Sequence, residues 1–334
     1  MLKEYVLHVQ SAHIRKLKTL VGPSLARVKA HEPYVPLLYL LGDLQEVTTY
    51  ALSNRYWQPI SVVALAALPT LHTLEVQGRY TATTMFNYIE ELTQLKCLRL
   101  VDTMPSELPL GLKVLDMHSN SAGSLQSKLP CSLLFEGFRG SLDGLGLGRA
   151  IKQFDYNPGR LAAFNCLQQL TSLDLDFEHF SSEACHFTFP HLLSLKIHVR
   201  EFGVRYPPIW NFNGSPQLQD VTMIIEVLCN DTVDLSQILN LHAASLCIQL
   251  DITDPDIHRH EPAGAFHGAL NTIGVKLDAA TWALSRVEIL TPAPAPHIWQ
   301  DCGQCVQGML QALMGHVSFT QISVNGVLGS AILG

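Results

Sequence analysis

The chain has 334 residues, is 47% hydrophobic but only 15% charged, and carries a formal net charge of −7. About a quarter of residues are charged in an average soluble domain, so this chain has much interior for its surface, or a face that a partner covers. The acidic balance argues against a phosphate-reading surface, which needs clustered Lys and Arg, and the longest apolar run, 62–68, is far short of the ~20 residues of a membrane-spanning helix.

Residues 1–43 read as an N-terminal cap. The first thirty are locally basic, with Lys3, Arg15, Lys16, Lys18, Arg27 and Lys29 against Glu4 alone, as a solvated or partner-facing end would be. The opening MLKEYVLHV lacks the continuous apolar stretch of a signal peptide. The 8 cysteines show no disulfide-framework spacing. They read as reduced, mostly buried thiols in a cytoplasmic or nuclear compartment.

From residue 44 a template recurs: Leu, two residues, Leu, one residue, Leu. It is clearest in LQQLTSLDLDF (167–177), with Leu170, Leu173 and Leu175. LPTLHTLEV (68–76), LTQLKCLRL (92–100), GLKVLDM (111–117), HLLSLKI (191–197) and PQLQDVTM (216–223) fit it with aliphatic anchors. IKQFDY (151–156), ASLCIQL (244–250), LSRVEIL (284–290) and FTQISV (319–324) fit less well. Central anchors fall at 74, 98, 115, 154, 173, 195, 221 and 246, and the wide gap after 115 leaves room for one more copy near 130–147. A period of roughly 20–29 residues with one short alternating strand in each is the mark of a stacked repeat. One such unit cannot bury its own apolar face, but neighbours bury a continuous one.

The returns between strands read partly as helices. QPISVVALAAL (58–68) has Pro59 at a helix start. TTMFNYIEEL (83–92) places Met85, Ile89 and Leu92 on one helical face, and CVQGMLQALMG (305–315) does the same with Val306, Met309, Leu310 and Leu313 before Gly315. Across 103–165 the returns look too short and too rich in Gly and Pro for full helices. The expected fold class is therefore α/β: a horseshoe-shaped solenoid with a parallel concave sheet and helices or irregular turns on the convex side. Its repeats would span 44–324 with an insertion at about 252–283, and 325–334 would be a C-terminal tail.

With these spacings the sequence resembles the leucine-rich repeat superfamily over most of 44–324. FPHLLSLKI and SPQLQDVTM are similar to the divergent repeats that follow an F-box in fungal and plant substrate adaptors. ELPLGLKVLDMHSN (107–120) resembles the "LP-x-x-L" repeats of secreted bacterial effectors. The resemblance implies a non-catalytic protein-binding module, and in its most specific form the substrate-recognition subunit of a ubiquitin ligase complex. The family's turn asparagine is held only by Asn120, so irregular repeats are expected.

Along each strand the anchors point inward and the residues between them face the concave surface. The central displayed positions read Glu75, Arg99, Asp116, Asp155, Asp174, Lys196 and Thr222, followed by Cys247, Glu288 and Ser323, with Asp176 beside them. These predict an acidic patch over 75–176 that holds a protein partner, a basic one by charge. Beyond Asp220, the residues Thr222, Ile224, Ile225, Cys247 and Leu250 predict a more apolar surface. No enzyme motif, cofactor site, nucleic-acid surface or membrane segment is expected.

Two other constellations could carry chemistry. Cys302 and Cys305 form a C-x-x-C pair that could be half of a zinc site or a redox dithiol. His258, His260, Glu261 and His267 offer imidazole and carboxylate donors for a transition metal. The reading preferred for these is two cysteines at a helix start and a solvated loop. A structural subunit of a larger assembly is the remaining alternative. CND (229–231) lies between repeats rather than after them, and LDGLGLGRA (142–150) reads as a tight glycine-permitted return turn.

Overall fold

The computed structural model describes residues 27–31, 44–50, 59–77, 84–86, 89–101, 103–105, 108–118, 141–147, 166–176, 185–186, 188–200, 210–227, 232–236, 238–252, 274–276, 282–291, 303–314, 317 and 321–328. The chain divides into two units, Met1–Gln169 and Leu170–Gly334.

In the first unit an open parallel sheet runs in chain order. Its strands are β1 (Arg27–His31), β2 (Glu46–Tyr50), β3 (Thr73–Gln77), β4 (Cys97–Val101), β5 (Val114–His118) and β6 (Gly144–Leu147). Each pairs in parallel with the next. Burial alternates along β3, β4 and β5, as the period-two side-chain geometry of a strand requires. The inward anchors Leu74, Val76, Leu98, Leu100, Leu115 and Met117 are all buried. Each contributes about 1.5–3 kcal/mol of burial against the unfolded chain. Leu68, Leu71, Leu92, Leu95 and Leu112 extend the same interior into the turn before each strand.

The turns repeat as faithfully as the leucines. The amides of His72 and Thr73 both donate to the carbonyl of Gln45 at 3.0 Å, and those of Lys96 and Cys97 to His72 at 2.8 and 2.9 Å. Lys113 and Val114 do the same to Lys96, and Asp143 and Gly144 to Lys113. One carbonyl thus takes two donors at the start of β3, β4, β5 and β6, so the backbone is satisfied where it turns into the sheet.

In the second unit the strands are β7 (Ser172–Asp176), β8 (Ser194–Arg200), β9 (Asp220–Val227), β10 (His242–Ile252), β11 (Ala283–Leu290), β12 (Ile322–Val324) and β13 (Val327–Leu328). All pair in parallel except β13, which returns antiparallel on β12. The same two-donor junction recurs at Thr171, with Leu193 and Ser194, and at Leu193, with Gln219 and Asp220. The β12–β13 turn is Asn325–Gly326, at φ 46° and 80°, the left-handed pair that a tight hairpin needs. The Asn325 amide secures it by donating to Thr291 Oγ1 at 2.9 Å and accepting from the Thr291 N–H at 2.8 Å.

Two of the three expected helices form. α1 (Pro59–Ala66) starts on its proline, and α2 (Gly303–Leu313) buries Val306, Met309, Leu310 and Leu313. The third does not. Within 83–92, Thr84–Phe86 is a strand paired in parallel with Thr103–Pro105, and only Ile89–Glu91 turns as a short 3-10 helix. A β-branched residue and an aromatic close to a parallel partner outweigh a helical face of three residues. Paired short strands also serve elsewhere: Cys185–His186 with Trp210–Asn211 and Ile238–Leu239, and Thr232–Asp234 with Gly274–Lys276. α2 packs against Gly274–Lys276.

The segment 142–147 also departs from expectation. It is not a return turn: Gly144–Leu147 forms β6, and Leu142, Leu145 and Leu147 fill the three template positions with buried side chains. The extra copy expected near 130–147 is this one, while 151–156 lies outside the described residues. Among the described residues no helix is long and apolar enough to cross a membrane.

Candidate functional site

The outward face of each sheet is ordered by strand register. In the first unit the central row runs Thr48, Glu75, Arg99, Asp116, Gly146. In the second it runs Asp174, Lys196, Thr222, Cys247, Glu288, Ser323. Glu75, Arg99 and Asp116 therefore stand side by side as expected, and so do Asp174, Lys196 and Thr222. Gly146, not Asp155, follows Asp116 in its row, and Asp155 lies outside the described residues.

Register keeps the interleaving of charge read from the row, with Arg99 between Glu75 and Asp116. Adjacent strands are about 4.8 Å apart, so opposite charges in neighbouring positions attract instead of accumulating one sign. In the second unit Asp174 meets Lys196 Nζ through Oδ2 at 3.2 Å and His198 Nε2 through Oδ1 at 3.0 Å. Burial pushes the Asp174 carboxyl up, but the imidazole of His198 and the ammonium of Lys196 outweigh it and hold the carboxyl below the usual aspartate range. In the first unit Asp116 Oδ2 meets His118 Nε2 at 3.0 Å. Glu75 accepts a hydrogen bond from the Gln77 amide two residues along its strand.

The two histidines were not singled out in the sequence. Both stand two residues beyond a central displayed position, His118 after Asp116 and His198 after Lys196, so the strand period alone could have placed them. Asp176 ends β7 and pairs in register with His198.

Two cysteines share the outward side, Cys247 in its central row and Cys97 two residues before Arg99. Cys97 and Cys247 are half-buried free thiols. Burial pushes the Cys97 thiol up; Arg99 opposes this while Asp116, Glu46 and Glu75 add to it. Burial likewise raises Cys247, with Glu288 adding and Arg286 opposing. Neither is set up as a thiolate nucleophile.

The apolar surface expected beyond Asp220 is narrower than its residue types suggest. Ile225 and Leu250 are buried, in step with Val221 and Met223 on β9 and Leu246 and Ile248 on β10. Thr222, Ile224 and Cys247 remain half-exposed on the outward side. Strand alternation, which runs unbroken through 220–226 and 245–251, decides the matter.

The candidate metal donors are not brought together by anything described. Cys305 falls in the first turn of α2, and Cys302 and the cluster His258, His260, Glu261 and His267 lie outside the described residues. Among the described residues no three His, Cys, Asp or Glu side chains stand together as a metal site. Compared with models of known protein families and with curated proteins, the chain matches none.

Proposed function

We propose that the protein is a non-catalytic leucine-rich repeat solenoid that binds another protein through the outward, concave face of its sheet. The observation that carries this reading is the register, which sets Glu75 beside Arg99 and Asp116 in one unit, and Asp174 beside Lys196 and Thr222 in the other. Half-exposed side chains on rigid parallel strands, each a few ångströms from the next, present a broad ordered surface of the kind that recognises a macromolecule. The repeated two-donor junctions support the solenoid reading, because the same turn geometry returns with the same leucine spacing.

The narrower version, substrate recognition for a ubiquitin ligase complex, rests on the likeness of FPHLLSLKI and SPQLQDVTM to adaptor repeats. The free thiols at Cys97 and Cys247 suit a reducing compartment, so the cytoplasm or nucleus is the proposed location. The test is affinity purification from the native host of the wild type beside a Glu75→Lys, Asp116→Lys, Lys196→Glu variant that keeps its thermal melt. Loss of specific partners from the variant supports the reading, and unchanged recovery of every partner defeats it. Ubiquitin-ligase components among the lost or retained partners decide the narrower version.

A further inference from the structure

We propose that the strand-start end of the first unit's sheet is a docking surface, centred on Lys96, Leu110 and Lys113. Its occupant is a segment of partner protein with an Asp or Glu within two positions of an aliphatic or aromatic residue. This surface is the end of the sheet and not its outward face, so the inference goes beyond the reading above and is tested apart from it.

The two-donor junctions set one residue of each strand start in a line. In the first unit these are His72, Lys96 and Lys113, each carbonyl receiving the amide of the next, and Asp143 ends the line. Their backbones follow one another at about the 4.8 Å spacing of adjacent strands. The side chains of His72, Lys96 and Lys113 are exposed. Lys113 Nζ meets Asp143 Oδ2 at 3.5 Å, with both side chains half-exposed, and such a pair is weak. Among the described residues no side chain pairs with the Lys96 ammonium. The acids behind this line lean the other way. Glu75 accepts from Gln77 and Asp116 meets His118, each partner lying two residues further from the strand start, which leaves this end of the sheet to the lysines.

An apolar element stands beside these cations. Leu110, in the turn before β5, is 71% exposed, and Val114 at the start of that strand is 37% exposed. The Lys96 ammonium lies over the same turn: a Cβ added at Gly111 would stand 3.8 Å from Lys96 Nζ. The unpaired cation is therefore held over the residue next to an exposed leucine. A segment that rests an apolar side chain on Leu110 brings a carboxylate one or two positions away against Lys96. The apolar contact contributes affinity, and the charge pair fixes orientation. In the second unit the same line reads Thr171, Leu193 and Gln219, with no cation, so the surface is particular to the first unit. Two lysines and a leucine on a chain of net charge −7 suit an acidic peptide and not a nucleic acid, which needs a broad basic face.

The experiment selects a random peptide library displayed on phage against the purified full chain. Enriched peptides are then measured as synthetic ligands by fluorescence anisotropy at low and high salt. The expected consensus is an Asp or Glu within two positions of an aliphatic or aromatic residue, with binding that weakens as salt rises. Leu110→Asp should weaken binding about tenfold or more, and Lys96→Glu about fivefold or more. Gln219→Glu, at the matching position of the second unit, should leave it within about twofold. A peptide with Lys in place of its acid should regain binding to Lys96→Glu. Both side chains are exposed, so the variants should keep their thermal melts, and the peptide swap reads the contact even if one does not. No enrichment over uncoated wells, a consensus without acids, or binding indifferent to both Lys96→Glu and Leu110→Asp overturns the proposal. Peptides lost with the Glu75→Lys, Asp116→Lys, Lys196→Glu variant but kept by these two would move the site to the outward face, overturning this inference and leaving that reading standing. Phosphatidylserine vesicles that bind the wild type and not Leu110→Asp, with no peptide enriched, would assign the surface to a lipid and overturn it as well.

Discussion

In the first unit Asp116 meets His118 two residues along its own strand, at 3.0 Å, whereas in the second Asp174 reaches across to β8, meeting Lys196 at 3.2 Å and His198 at 3.0 Å. The same two side-chain chemistries occupy the same kind of position, yet they do different mechanical work. A pair within one strand restrains a side chain and adds nothing to the joining of repeats. A pair across strands adds to the interface between neighbouring repeats, which is where much of the stability of a stacked architecture resides. The difference follows from what the next strand offers. β8 presents Lys196 in register with Asp174, while β6 presents Gly146 in register with Asp116, so Asp116 has no side-chain partner there and folds over bare backbone.

Beneath these unlike faces the interiors should behave alike, and that is where the comparison can be broken most forcefully. Leu98 on β4 and Leu195 on β8 hold the same central anchor, and both are fully buried. Leu98→Ala and Leu195→Ala should each cost about 2–5 kcal/mol, from lost burial and from the cavity left behind. Urea unfolding of the two variants should give losses within roughly 1 kcal/mol of each other, the scatter that local relaxation introduces. A near-neutral result at one site alone would mean that the two interiors are not built on one plan.

A smaller effect sharpens the comparison at Gly146. A Cβ added there would overlap Asp116 Oδ1 and come within 3.0 Å of its Cγ, so the carboxylate would have to swing off β6 and leave His118. Gly146→Ala should therefore destabilise by about 0.5–1.5 kcal/mol, mild overpacking plus the loss of a half-exposed pair. In an Asp116→Ala background that cost should vanish, because the obstructing group is gone. A double-mutant cycle reads the coupling directly, and strict additivity would show that the glycine and the aspartate do not interact.

The template L-x-x-L-x-L made the main strands legible, because inward aliphatic residues at fixed spacing have one way to share an interior. It also held β6 in plain view at Leu142, Leu145 and Leu147. There the glycines drew attention as turn-formers, although a strand tolerates glycine where a neighbouring side chain leans over it. Three apolar residues on a helical wheel were too few to choose between helix and strand at 83–92. At Thr84–Phe86 the pairing partner, Thr103–Pro105, is a long-range contact that no local pattern reports. The displayed row was legible wherever register was continuous. Its charges were legible too, Arg99 between two acids and Lys196 beside a third, but not which pairs close, because the contacts of Asp174 with Lys196 and His198 depend on side-chain conformation as well as register. His118 and His198 are legible in the same way as Asp176 and Ile224, two residues past a central position, because a strand of five residues or more shows at least two outward side chains.

The last and smallest expected effect isolates the cross-strand pair by its pH dependence. The folded state holds the Asp174 carboxyl below its ordinary range, so the folded chain binds that proton more weakly than the unfolded chain does. The stabilisation is then fully present above the unfolded value, near pH 4. It is lost as the pH falls through that value towards the lower folded one. Asp174→Asn should cost roughly 1 kcal/mol at neutral pH, the upper end for a partly exposed pair. The gap between variant and wild type should close as unfolding is repeated at progressively lower pH below 4. Asp116→Asn, which breaks a pair confined to one strand, should cost less than Asp174→Asn at neutral pH. A deficit at Asp174 that persists unchanged into acid would mean that the ionised carboxylate is not what ties β7 to β8, and that the contrast between the two faces is one of shape rather than charge.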